Sequence, residues 1–170
     1  NANVCDQAEV FDSAKICNSA KVYGEAQVYD DAYVCDNTSV LAHANVCESA
    51  KVHDSARIGG HAFVFGNAIV CGGVRVFDNA QICDKAEVCN NAVVCDNARV
   101  SGNAKICGST LVSGSAWVHD NARIYDNVVV SDNARIYGNA VVSDSAVVLD
   151  RSVVCGDAHV SSRTRICGDA

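Results

Sequence analysis

Eleven cysteines and five histidines are the residues of this 170-residue chain with the widest chemical reach. Thiolates and imidazoles can act as nucleophiles, general bases or ligands for soft metal ions. An odd number of cysteines leaves at least one outside any set of intramolecular pairs. No two of them stand in a CxxC or zinc-finger spacing. Instead all eleven share one position of a six-residue period: Cys5, Cys17, Cys35, Cys47, Cys71, Cys83, Cys89, Cys95, Cys107, Cys155 and Cys167. The histidines are scattered over three positions of the same period. His53 and His119 share the cysteine position, His159 falls in mid-strand, and His43 and His61 fall in turns. A general base needs an orienting partner and a dry pocket. Each histidine is therefore expected at the surface, and no catalytic residue is assigned.

The elements that must position these groups follow from the repeat, which is sought before any other signal. From Val4 to Ile166 every sixth residue is Val or Ile, at 28 positions without exception. Two residues before each stands a small residue, Ala except at Thr38, Val74, Thr110, Val128, Ser152 and Thr164. Turn-forming pairs such as Asp96-Asn97, Asp132-Asn133 and Gly138-Asn139 separate the units. The unit reads small, x, Val, x, Asp/Gly, Asn/Ser. Strand alternation puts the small residue and Val on one face, with both x positions on the other. This predicts a four-residue strand and a two-residue bend. One such strand cannot bury its apolar face, but three coiled into a triangle share an interior. The absence of Pro fits strands that must all donate hydrogen bonds. A strict period of six leaves no 3.6-residue stripe for a helix.

The repeat resembles the hexapeptide-repeat family over the whole chain. The resemblance implies an all-β fold: a single-stranded, triangular, left-handed parallel β-helix with 18 residues per coil. Residues 1–170 then form one solenoid domain of about nine coils, roughly 45 Å long at the spacing of β-strands, with no inserted loop or helix. Many members of the family are acyltransferases that use a histidine base and a loop covering the site. In this chain the six-residue register never slips, so no such loop is expected. An acyltransferase-like trimer with a site between subunits stands as the alternative to a structural role. Ice binding through outward Thr ladders is disfavoured, because Thr38, Thr110 and Thr164 occupy the inward position.

The residue after each Val or Ile faces outward at a corner, yet twenty of its 28 occupants are Cys, aromatic or Leu. They form either self-covering apolar columns or exposed ridges that other rods would cover. Folding the sequence at 18 aligns Cys17, Cys35, His53, Cys71, Cys89 and Cys107 in one corner column. This is the candidate assembly or cross-link ladder. Thiols one strand spacing apart lie within disulfide range, and thiolates with imidazole also suit Zn²⁺ or Cu(I). Disulfides, free thiols and a metal site on Cys71, Cys89 and Cys107 all remain open. In the outward mid-strand column, Val93, Leu111, Val129 and Val147 form an apolar contact stripe, in a column that starts with Lys21, Arg57 and Arg75.

Twenty acidic against 13 basic residues give a net charge of −7, which argues against a nucleic-acid partner. No apolar run is long enough for a membrane span. No cofactor is expected. The repeat runs from Ala2 to Ala170 without a plug, so either capping sequence lies outside this stretch or the ends meet further copies; head-to-tail stacking is the expectation taken. A first residue of Asn rather than Met favours an exported chain, extracellular or at the cell surface, with the cytoplasm as the alternative.

Overall fold

The computed structural model describes residues 2–168. It is a parallel β-solenoid of about nine turns, built from 28 two-residue strands. The strands fall into three sheets of ten, nine and nine, beginning at Asn3–Val4, Glu9–Val10 and Lys15–Ile16. Every strand pairs with the strand one coil away, in register at a separation of 18: Val4 with Val22, Ile58 with Val76, Val130 with Val148. No described residue is helical.

The strands are shorter than the four residues expected, for a local reason. Only x and Val form the regular paired strand. The corner amide and the small residue's carbonyl still bond across coils, as Cys35 N–H does to Val52 (3.0 Å) and Lys51 N–H to Ala68 (2.9 Å), but the same two residues also close the turn. The amide of the small residue donates to the corner carbonyl three residues back, as in Ala50 to Cys47 (3.3 Å) and Ala86 to Cys83 (3.2 Å).

Val, Ile and Ala fill the interior, and from Ala20 to Val148 each inward side chain is fully enclosed. Each buried Val or Ile contributes about 1.5–3 kcal/mol relative to an exposed one. The inward polar residues are satisfied locally. Thr38 and Thr110 donate to the carbonyls of Cys35 (2.7 Å) and Cys107 (2.8 Å), and Ser152 donates to Leu149 (2.6 Å). Among the described residues no buried side-chain polar atom lacks a partner. Thr164 repeats the same bond to Ser161 (2.7 Å) in an exposed coil.

The first residue of every turn has positive φ, at 18 non-glycine and ten glycine positions. Aspartate dominates this place, and tolerance of the left-handed region is half of the reason. The other half is a bond to the next coil. Twelve aspartate carboxylates accept the amide N–H of the first turn residue 18 positions on, at 2.7–3.3 Å, as Asp84 does from Gly102 (2.9 Å). In the second turn position Asn103, Asn121, Asn139 and Asp157 link successive coils through their side chains. The turns therefore fasten coil to coil as well as reversing the chain.

Candidate functional site

The 18-residue register brings Cys17, Cys35, His53, Cys71, Cys89 and Cys107 into one corner column. Each residue's amide donates to the carbonyl preceding its upper neighbour: Cys35 to Val52 (3.0 Å), His53 to Val70 (3.0 Å), Cys71 to Val88 (3.0 Å). Cys89 and Cys107 are joined as a disulfide with Cα atoms 4.8 Å apart. Of the three thiols considered for a metal, only Cys71 is left free in this state. The Cys17 thiol donates to the Tyr33 hydroxyl (3.3 Å) and the Cys35 thiol to Asp36 Oδ2 (3.3 Å).

The corners are far more covered than an outward ridge implies. Most corner side chains are half-buried, and Cys35 and Cys47 are only 6% and 3% exposed, though neither belongs to the Val/Ile/Ala interior. Stacking supplies the cover. Phe11 lies on Tyr29 with ring centroids 5.0 Å apart, and His119 on Tyr137 at the same distance. Where Gly59 leaves a gap in its column, the Phe77 ring fills it: a Cβ on Gly59 would lie 2.9 Å from that ring. His119, expected at the surface, is largely covered between Trp117 and Tyr137, with Nδ1 3.0 Å from Asp120. His43 and His61 stack on one another in turns, 4.7 Å apart, and His159 is exposed.

Burial decides the chemistry of the thiols. It pushes Cys35 up to about 12, helped by the hydrogen bond to ionised Asp36. It also pushes Cys83 up to about 11, and raises Cys47, Cys71 and Cys95. A reactive cysteine needs the opposite, an electropositive and partly open setting. These five are neutral thiols at neutral pH, suited to packing and slow cross-linking rather than nucleophilic catalysis.

Three stretches of the chain, residues 56–72, 122–135 and 134–150, match the family model described as YdcK Beta solenoid repeat. The chain is a β-solenoid repeat protein. No curated protein matches it. The matched stretches lie on coils continuous with the rest of the solenoid, consistent with the hexapeptide resemblance along the whole length.

On the outer faces of the solenoid, Val93, Leu111, Val129 and Val147 pair in register on the first sheet, between Arg75 on one side and Arg165 on the other. All four are half-buried, because each shields its neighbours. Among the described residues no helix is long and apolar enough to cross a membrane.

Two groupings escape a residue-by-residue reading of the sequence. On the second sheet Trp117 stands in register between Arg99 and Arg135, 39% exposed, with its indole N–H donated to Ser101 Oγ (3.1 Å). At the thiol corner, His53 Nδ1 lies 3.3 Å from Asp54 Oδ2, with Asp36 of the preceding coil beside both. Each is marked in the sequence by a spacing of 18, between Arg99, Trp117 and Arg135 on the sheet and between Asp36 and Asp54 in the turns.

Proposed function

We propose that this β-solenoid is a structural, non-catalytic rod whose partner is itself. Copies stack head to tail into filaments, and the rods pack or cross-link side by side. The observation that carries this reading is that all coil faces are equivalent. Around one edge, the amides of Lys51, His53 and Ser55 donate to Ala68 (2.9 Å), Val70 (3.0 Å) and Gly72 (3.0 Å) of the coil that follows, and the pattern repeats along the chain. One face of a coil offers donors where the opposite face offers acceptors, so a second copy meets the first as one coil meets the next. Such a contact is heterologous and open, and it builds filaments rather than closed rings.

The stripe Val93, Leu111, Val129 and Val147 supplies a lateral contact, and the exposed thiols of Cys5, Cys155 and Cys167 supply cross-links. A disulfide from coil to coil favours an oxidising setting, extracellular or at the cell surface. The unbroken run of two-residue strands, with no loop inserted among the described residues to cover a site, supports this role over acyl transfer.

The test is electron microscopy of the purified chain at micromolar concentration, with sedimentation velocity as a second readout. Filaments several times the length of one rod are expected. Leu111→Lys thins bundles to single filaments while leaving filament length unchanged. Dispersed short particles at every concentration sink the proposal.

A further inference from the structure

The aspartate ladder and the corner column meet at one place in a way that neither does alone. Four hydrogen-bonded steps of the turn ladder set aspartate over aspartate: Asp36 and Asp54, Asp78 and Asp96, Asp126 and Asp144, Asp132 and Asp150. Each step brings two carboxylates together across one coil spacing. In two of them the corner residue before the second aspartate is itself a metal-ligating type, His53 and Cys95. These are the two steps whose ligand atoms all lie within 4.8 Å of one another: Asp36, His53 and Asp54, and Asp78, Cys95 and Asp96. The pattern is Asp at i, His or Cys at i+17 and Asp at i+18.

The first cluster is the better built. Asp36 Oδ1 accepts from Asn18 Nδ2 (2.7 Å), and Asp36 Oδ2 from the Asp54 amide (3.3 Å). Asp54 Oδ2 accepts from the Gly72 amide (2.9 Å). Both carboxylates are thus oriented by neighbouring coils, as supporting partners orient metal ligands. Among the described residues neither carboxylate forms an ion pair with Lys or Arg. Two negative charges therefore share one imidazole as their close partner.

We propose that Asp36, His53 and Asp54 bind a Zn²⁺ ion through one imidazole nitrogen and two carboxylate oxygens, with a fourth position left to water. The count of three protein ligands matches an open zinc site, and imidazole nitrogen and carboxylate oxygen are both zinc ligands. Tetrahedral zinc with bonds of about 2.1 Å sets its ligand atoms about 3.4 Å apart, and His53 Nδ1 and Asp54 Oδ2 are already 3.3 Å apart. The rod thereby carries a metal on carboxylate and imidazole, beside the thiol ladder rather than on it. The Asp126 and Asp144 step is an internal control: it lies on the same corner with the same bond (3.2 Å), but Ser143 stands where His53 would be.

The test is a Zn²⁺ titration of the intact chain, read by calorimetry and by the nitrogen and carbon-bound proton signals of the histidine rings. His53 is expected to shift, and Co²⁺ in its place is expected to give visible d–d bands without a sulfur-to-cobalt charge-transfer band. His53→Ala and Asp54→Asn each weaken binding at least tenfold, with the metal-free circular dichroism unchanged. Ser143→His adds a second site, a gain that unfolding cannot mimic. The proposal is overturned if His53 stays unmoved, if Asp54→Asn binds as tightly as the parent, or if Ser143→His gains nothing. A charge-transfer band accompanying the His53 shift overturns it as well, by placing the metal on Cys35 or Cys71.

Discussion

The interior and the corners of this rod are stacked at one spacing, by one set of hydrogen bonds, and yet they tolerate different things. Along the inward mid-strand column only Val and Ile occur, while the adjoining corner position admits Cys, Tyr, Phe, Leu, His, Gly and Ser. Periodic stacking is therefore not what restricts the sequence. Enclosure is. An inward side chain is surrounded by other inward side chains, and polar groups are found there only in the small position, where the hydroxyls of Thr38, Thr110 and Ser152 reach the carbonyl of the preceding corner. A corner side chain is covered from above and below but keeps one side open, so a ring, a thiol or a hydroxyl can each settle against its neighbours. The half-burial of the corners and the complete burial of the interior are the two outcomes of that one difference.

A charge placed at each position breaks or sharpens the contrast most strongly. Ile106→Asp puts a carboxylate where no water and no hydrogen-bond partner can reach it, and costs on the order of 5 kcal/mol, enough to unfold the coils around it. Ser113→Asp, at a half-buried corner, changes stability by less than about 1 kcal/mol. Urea unfolding followed by circular dichroism measures both. Equal losses from the two substitutions would show that the corners are as enclosed as the interior.

The same difference explains what could be read in advance. The repeating strand and its inward and outward positions were legible because nothing interrupts the period from Val4 to Ile166, while the 18-residue coil, and with it the membership of each column, came from the resemblance to the hexapeptide-repeat family. The alignment of Cys17 through Cys107 followed directly. The expectation that His119 sits at the surface did not hold, because its cover comes from Trp117 in its own strand and Tyr137 one coil on, and cover depends on ring size and lean. Asp36 and Asp54 fall in the turn position of the repeat, and the bond between their coils appears only when the carboxylate is placed in space. The regular strand is two residues rather than four, because the residues that flank it bond across coils and also close the turn, where at many coils the small residue's amide bonds back to the corner carbonyl.

Within the corner column itself, the covalent step at Cys89 and Cys107 differs from the free step at Cys71. The disulfide closes a loop of 18 residues, and removing it by Cys89→Ser releases about 3 kcal/mol of restraint on the unfolded chain. Cys71→Ser, beside it in the column, has no cross-link to lose and shifts the urea midpoint far less. Reductant applied to the parent chain should reproduce the Cys89→Ser midpoint and leave the variant itself unmoved. A parent chain indifferent to reductant would remove the disulfide from the account of stability.

The smallest effects separate covered from open thiols at the corners. Cys35 and Cys47 are buried, whereas Cys5, Cys155 and Cys167 are exposed. Burial favours the neutral thiol, and for Cys35 the folded value stands at about 12 against an ordinary 9.0. Below pH 9 the folded and unfolded chains both keep this proton, so the shift has no effect on stability there. Between pH 9 and about 12 the unfolded chain gives the proton up while the folded chain retains it, and ionisation then favours unfolding. Stability contributed by Cys35 is thus whole at neutral pH and falls as the medium becomes alkaline. Alkylation at pH 8, mapped by mass spectrometry, should modify the three exposed thiols first and Cys35 and Cys47 last. Cys35→Ala should flatten the alkaline limb of the stability curve and also make the acid limb shallower, because the Cys35 thiol is one of the donors that hold Asp36 below its ordinary value. Rapid alkylation of Cys35 in the folded rod would mean that the column opens on the timescale of the reaction, and that enclosure at the corners is looser than the stacking implies.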